Sequence, residues 1–425
     1  MEREILVYSG PEQRPKLVGR LWARTRRGHE SATFEYDRTW LSDPECFSLE
    51  PALALWPGPH HTPSGKALFG AIGDSAPDRW GRVLMRRAER RAAAREKRTA
   101  RTLTEIDFLL QVDDETRQGA LRFVEKETGE FLAGESGQRV PPLVQLPKLL
   151  SASQRVLDDD EADEDLRLLL APGSSLGGAR PKASLRDRDG SLAIAKFPQS
   201  SDELKTVVWE SVALKLAAKA GIDVPVWRME SVARKPVLIL RRFDRESARR
   251  IPFLSAMSML GAADHETHSY LEIADMLRRY SAAPRADLMQ LWRRIVFNVL
   301  IANSDDHLRN HAFLHVGTEG WRLSPAYDLN PVPLEFKPRV LTTLIDEHDG
   351  SASMELAFSV IARFGLSMAQ AQAVAMEVAR AVSTWRRVAA AAGLGAREIE
   401  RLASAFDSRE LQAAGGKRVQ RARAS

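Results

Sequence analysis

Short apolar-rich runs open the chain. Residues 5–8, 18–23 and 31–36 read as strands, the last alternating polar and apolar side chains, with Arg26-Arg-Gly-His29 as a turn. The period then changes. Leu103, Ile106, Leu109 and Leu110 fall at helical spacing within 102–112, and 147–157 reads as a second helix, while 119–124 and 131–133 read as strands. A hairpin is predicted from 182–186 and 191–198 around the turn 187–190. A helix follows from Ser200 to about Lys219, opened by the capping-box spacing of Ser200 and Glu203, and then a strand pair at 226–232 and 236–242. Beyond this the pattern is helical over 270–279, 285–301, 354–364, 368–391 and 396–413. Two short strands, 311–316 and 321–324, interrupt it around Gly317-Thr-Glu-Gly320. Strands gathered early and helices late predict an α+β fold, β-rich at the N-terminus and helical toward the C-terminus.

A chain of 425 residues implies two or three domains. No apolar run approaches the roughly 20 residues that span a bilayer, and Met-Glu-Arg-Glu-Ile-Leu-Val lacks the pattern of a signal peptide. The single cysteine, Cys46, excludes an internal disulfide and a cysteine-based zinc site. Together these features predict a cytoplasmic protein with no membrane partner. The net charge of +5 is largely local: Lys417, Arg418, Arg421 and Arg423 in the tail supply four of the five. A nearly neutral body argues against an extended DNA-binding face. Residues 82–101 hold nine basic and two acidic residues and read as a solvated helix; 158–165 holds seven acids in eight positions and reads as a mobile surface loop. His60 and His61 lack a third ligand at metal spacing and read as loop histidines.

The chemistry concentrates in Ile301-Ala-Asn-Ser-Asp-Asp-His-Leu-Arg-Asn310, with Asp328 eighteen residues later. Asp305 and Asn310 stand five apart, as do the proton-accepting Asp and the metal-binding Asn of a protein-kinase catalytic loop, where a later Asp holds the Mg²⁺ that bridges the nucleotide phosphates. Phosphoryl transfer needs hard oxygen ligands, which Asn310 and Asp328 can supply. Upstream, Pro172-Gly-Ser-Ser-Leu-Gly-Gly-Ala-Arg-Pro-Lys182 is a glycine-rich stretch whose backbone N–H groups can cradle phosphates. It is neither a P-loop nor a Gly-x-Gly-x-x-Gly loop. Lys196, on the second strand of the predicted hairpin, is placed to reach the α- and β-phosphates, with Glu210 or Glu203 as candidate partner.

Asn-Ser-Asp-Asp-His-Leu-Arg-Asn followed by Ser-Pro-Ala-Tyr-Asp resembles the HipA family of serine/threonine kinase toxins from bacterial toxin–antitoxin systems. Asp74-Ser-Ala-Pro-Asp-Arg-Trp-Gly81, the phosphate loop and Val237-Leu-Ile-Leu-Arg-Arg-Phe-Asp-Arg245 add to the likeness, which runs from about residue 5 to about residue 385. The resemblance implies a two-lobed protein-kinase-like fold. Residues 1–115 form the N-terminal β-rich domain, 116–245 the kinase N-lobe with phosphate loop and hinge, 246–415 the helical C-lobe, and 416–425 a disordered basic tail. It implies ATP and Mg²⁺ as cofactors. Asp305 is the expected catalytic base, and Asn310 and Asp328 the metal ligands. Ser174, Ser175, Gly177, Gly178, Ala179, Lys182, Lys196, Arg241, Phe243 and His307 are expected to bind the nucleotide, with Ser175 an autophosphorylation site. The implied partners are a protein substrate, commonly an aminoacyl-tRNA synthetase, and a DNA-binding antitoxin through which alone the chain meets DNA. A small-molecule kinase and a non-catalytic co-repressor of the antitoxin are the alternatives. Arg241 departs from the family, which often has Glu there; backbone contacts to adenine do not depend on that side chain.

Overall fold

The computed structural model describes residues 2–10, 14–126, 131, 140–170, 178, 180–247 and 249–415. Ser174, Ser175, Gly177 and Ala179 of the phosphate loop and the tail 416–425 lie outside the described residues. The chain divides into two units, 1–201 with 227–261 and 314–318, and 202–226 with 262–313 and 319–425.

In the first unit β1 (Glu2–Ser9), β2 (Lys16–Arg26), β3 (His29–Tyr36), β4 (Pro59–His61) and β5 (Arg122–Glu125) form an antiparallel sheet in the order β4-β3-β2-β1-β5. The period-2 pattern sets its inner face: Ile5 faces Leu21 across β1 and β2, and both are fully buried. At Gly19 a Cβ would lie 2.3 Å from the Glu35 carbonyl oxygen and 2.6 Å from the Phe34 ring, so β2 and β3 approach this closely only with glycine there. A second sheet holds β6 (Lys182–Arg186), β7 (Leu192–Lys196), β8 (Trp227–Val232) and β9 (Lys235–Arg241) in the order β6-β7-β9-β8. Its core joins Ala183, Ala195 and Val237 to Trp80 and Leu84 of α1 (Arg79–Arg95), Leu149 of α2 (Leu146–Leu157) and Leu169 of α3 (Asp163–Leu170).

The acidic run departs from the surface loop expected of it. Asp163 begins α3, and Glu161 and Asp165 are buried. The run is the counterpart of the basic helix α1: Arg87 meets Asp159 at 2.6 Å and Glu161 at 2.8 Å, Arg91 meets Asp163 at 3.6 Å, and Arg95 also pairs with Asp163. At these positions the opposite charges neutralise each other, which reduces the charge the two blocks offer an outside partner.

The second unit is helical, with α4 (Thr206–Lys219), α5 (Tyr270–Tyr280), α6 (Pro284–Ile301) and α7 (Met368–Val382). α4 starts at Thr206, later than its capping-box spacing predicts. Arg401 takes the Glu203 carbonyl at 2.7 Å and Glu398 accepts from the Lys205 N–H at 2.9 Å, so tertiary partners satisfy the groups a longer helix would have used. The helix predicted over 368–391 breaks at Ser383-Thr384 into α7 and a short helix, Trp385–Ala391. α6 is the axis of the unit. Pro284 sits in its first turn, where a missing N–H costs nothing. Leu288, Leu291, Trp292, Ile295, Val296, Val299 and Leu300 are all buried. The hairpin β10 (Ala312–His315) and β11 (Trp321–Leu323) follows.

Candidate active site

α6 delivers the loop that carries the candidate residues. It stops at Ala302, whose φ of 50° lies in the left-handed region that few non-glycine residues adopt. Asn303 N–H returns to the Asn298 carbonyl at 3.0 Å, a helix-terminating pattern that turns the chain off the axis into Ser304, Asp305 and Asp306.

The two adjacent carboxylates occupy opposite environments. Asp306 is 2% exposed. Its Oδ2 accepts from the Tyr270 hydroxyl, from Asn298 Nδ2 at 2.9 Å and from His311 Nε2 at 2.8 Å. Its backbone carbonyl accepts from the Thr343 N–H at 3.1 Å and hydroxyl at 2.7 Å. Burial alone would raise the Asp306 pKa, but the facing His311 and the hydrogen bonds outweigh it and hold the carboxyl below its ordinary value. Burial, then the Asp306 charge, push the Tyr270 phenol well above its ordinary 10. With Oδ2 and the backbone carbonyl of Asp306 engaged and its side chain sealed, its role is to hold the loop. Asp305 is the opposite case: its side chain is 61% exposed and meets Lys337 Nζ at 3.0 Å. Of the two carboxylates, Asp305 is the one open to a substrate.

The metal-ligand candidates are tied to the same loop. Asn310 is buried, and its Nδ2 donates to the Asp305 carbonyl at 3.1 Å, which leaves the amide oxygen as the atom to offer a cation. The Tyr327 hydroxyl donates to the Arg309 carbonyl at 2.7 Å, joining the residue before Asp328 to the residue before Asn310. Asn330 N–H reaches Asn303 Oδ1 at 3.3 Å, and Val332 N–H reaches the Ala302 carbonyl at 3.2 Å. Asp328 itself has φ 58°, a second left-handed position beside the loop; strain of this kind collects where function requires a fixed geometry. Among the described residues no three His, Cys, Asp or Glu side chains gather as a metal cage. One Asp and one Asn suit Mg²⁺ better than a full cage, because it keeps waters and takes substrate phosphates as further ligands. His307 Nδ1 is buried without a hydrogen-bond partner in the same loop.

The other predicted residues lie in the first unit. Lys182 on β6 pairs across the sheet with Lys196 on β7. The Lys182 ammonium is buried against Asp78 at 2.6 Å and donates to the Gly178 carbonyl at 3.2 Å. Trp80 Nε1 donates to the Lys182 carbonyl at 3.0 Å. The Asp-Arg-Trp stretch therefore buttresses the C-terminal end of the glycine-rich loop, a task that sequence spacing alone did not disclose. Arg241 ends β9 with its guanidinium 3.7 Å from Asp189, and the Phe243 ring stacks near Phe253 at 6.4 Å. In the second unit Glu203 meets Arg401 at 3.4 Å, and Glu210 is buried on α4.

The model of the HipA-like C-terminal domain family matches residues 174–386, half of the chain. The chain belongs to that family. Among relatives of this HipA-like chain, Y4mE of Sinorhizobium fredii, designated a kinase, is 25% identical over 347 residues, covering 74% of each chain. A Haemophilus influenzae protein, also designated a kinase, is 24% identical over 215 residues, covering 44% of the HipA-like chain and 62% of its own. HipA from the Shewanella oneidensis MR-1 toxin–antitoxin system, solved with HipB and operator DNA, matches with a TM-score of 0.67 at 17% identity over 96% of both chains. That likeness shows a shared kinase-like α+β fold. In the second unit Asp306, Tyr270, Asn298, His311, Thr343 and Lys337 brace or face the candidate loop, and in the first unit Asp78 pairs with Lys182; sequence alone gave none of them these roles.

Proposed function

We propose that this HipA-like chain is an ATP- and Mg²⁺-dependent kinase that phosphorylates a serine or threonine hydroxyl of a protein, as the toxin of a toxin–antitoxin pair. The observation that carries the reading is the loop at the end of α6. It leaves Asp305 open while locking Asp306, fixes Asn310 by its Nδ2, and is joined to the Asp328 segment through Tyr327. Bound Mg-ATP would supply the phosphoryl group and the metal charge. Asp305 would orient the acceptor hydroxyl and take its proton, while Asn310 and Asp328 would hold the metal. An aminoacyl-tRNA synthetase is the substrate class the family resemblance favours. Ser175 is the proposed regulatory acceptor, since a phosphate adds about −1.5 to −2 charges where the nucleotide phosphates would bind. A DNA-binding antitoxin is the proposed partner, and the matching of α1 arginines by acids supports DNA contact through it rather than directly.

The test is incubation with ATP labelled in its γ-phosphate, with Mg²⁺ or with chelator, followed by mass spectrometry of the chain and of a proteome. Asp305→Ala and Asp328→Ala should each lower transfer by about two orders of magnitude or more. Full activity in both variants would remove the kinase reading. Absence of phosphate on Ser174 and Ser175 alongside normal substrate phosphorylation would remove only the regulatory site.

A further inference from the structure

Lys337 lies on the segment that follows Asp328, and its ammonium is 3.0 Å from Asp305 Oδ1. The pair is exposed, 52% and 61%. An exposed ion pair adds little stability, so folding does not explain its placement. Nor is it the chance reach of a loose loop. Val332 N–H bonds to the Ala302 carbonyl at 3.2 Å and Leu334 N–H to Ser404 Oγ at 3.1 Å. Two residues past Lys337, the Arg339 guanidinium donates to the Ser404 carbonyl at 3.2 Å and the Ala405 carbonyl at 2.9 Å. The backbone is pinned on both sides of a lysine whose side chain reaches the candidate base. The loop's own arginine is otherwise engaged, since Arg309 pairs with Asp264.

Phosphoryl transfer spreads negative charge over three oxygens, and cations preset at that point are among the strongest levers on its rate. We infer that Lys337 is a catalytic residue of the transfer, an inference that rests on the kinase reading above. The ammonium is held on Asp305 in the free protein and is shared with the oxygens of the transferred group during reaction. In the step it serves, the acceptor oxygen bonds to the γ-phosphorus and the bond from that phosphorus to the β,γ-bridging oxygen breaks. The hydroxyl proton ends on Asp305, and the bond's electron pair leaves with ADP. Lys337 supplies charge and position and exchanges no atoms.

The experiment compares wild type, Lys337→Ala and Lys337→Arg. Single-turnover transfer from labelled Mg-ATP to the chain and to water is measured beside calorimetric affinities for Mg-ADP with and without aluminium fluoride, a mimic of the phosphoryl group in flight. Losing one preset charge typically costs about 10²–10³ in rate, and the solvent exposure of this one places the expected loss in Lys337→Ala at about 10- to 100-fold. Mg-ADP affinity should stay unchanged, the tightening by aluminium fluoride should be lost, and Lys337→Arg should recover most of both. An unchanged rate and unchanged tightening in Lys337→Ala overturn the inference, as does a faster rate, which would make the segment a plug. Equal loss of Mg-ADP and analogue binding also overturns it, in favour of a structural role. A wild type that neither binds Mg-ADP nor transfers phosphate fails the kinase reading first, and the inference falls with it.

Discussion

Replacing Asp306 with alanine should unfold the second unit well before it disturbs the chemistry directly. The substitution removes the carboxylate that accepts from Tyr270, from Asn298 at 2.9 Å and from His311 at 2.8 Å. All three donors are buried. A buried donor left unsatisfied costs about 1–3 kcal/mol, and water entering the small void relieves part of that, so the sum is about 3–6 kcal/mol. At about 2–4 °C per kcal/mol for a domain of 150–250 residues, the melting temperature should fall by about 10–20 °C. Asp306→Asn keeps one acceptor and should cost less than half as much. Tyr270→Phe removes the donor to Asp306 and also the hydroxyl that accepts from Asn298 Nδ2 at 3.1 Å, so in the double variant only the part of its effect that runs through Asp306 should vanish. The assay is thermal and urea denaturation of the wild type and the four variants followed by circular dichroism. A loss under about 1 kcal/mol for Asp306→Ala, within the range of an ordinary surface substitution, would refute the claim that this network holds the loop. The pH sense follows as well. With its pKa depressed in the folded state, Asp306 stabilises above the unfolded carboxylate value and loses that contribution as pH falls through the folded value.

Three further outcomes are expected. Glu50 accepts from the Ala71 N–H at 2.5 Å, and its pKa is pushed by burial to about 7 from 4.5, so the native state holds an extra proton between those values. Stability of the first unit should therefore fall by roughly 3 kcal/mol as pH rises through that window, and Glu50→Gln should flatten the dependence in denaturation midpoints taken from pH 4 to 8. Asp78→Ala would leave the Lys182 ammonium buried without its carboxylate and should cost about 3–5 kcal/mol, while Asp78→Leu with Lys182→Met should recover most of that in urea unfolding. The isolated chain should bind DNA weakly, with little change on Arg91→Ala; tight sequence-specific binding, measured by anisotropy, that survives removal of residues 416–425 would contradict this.

Local spacing carried the reading a long way. Asp305, Asn310 and Asp328 could be put forward as candidates because their residue types stand at short sequence distance, and the strand and helix periods of β1 to β3 and of α6 are local too. What stayed hidden depends on distant pairs. Tyr270 is 36 residues from Asp306, and Lys337 is 32 from Asp305. No short pattern marks either pair, and the Asp305-Asp306 doublet looks alike in sequence although one member is exposed and the other sealed. The 82–101 and 158–165 runs were visible as charge blocks, but their mutual neutralisation is a property of packing. The early start predicted for α4 failed for the same reason: Arg401 and Glu398 reach back from almost two hundred residues away.

Asp328 combines two demands in one residue. A left-handed backbone at φ 58° narrows the residues that can stand there. β-Branched and bulky side chains would add about 1–3 kcal/mol of strain, whereas Gly, Asn and Asp settle there readily. Of those three, Gly brings no ligand oxygen and Asn brings no charge. Under the proposed metal role, chain shape and cation affinity would screen the same position independently, and aspartate alone would pass both screens. In a mutational library, most replacements at 328 would register as folding defects before their chemistry could be read, and Asp328→Asn is the substitution that separates the two.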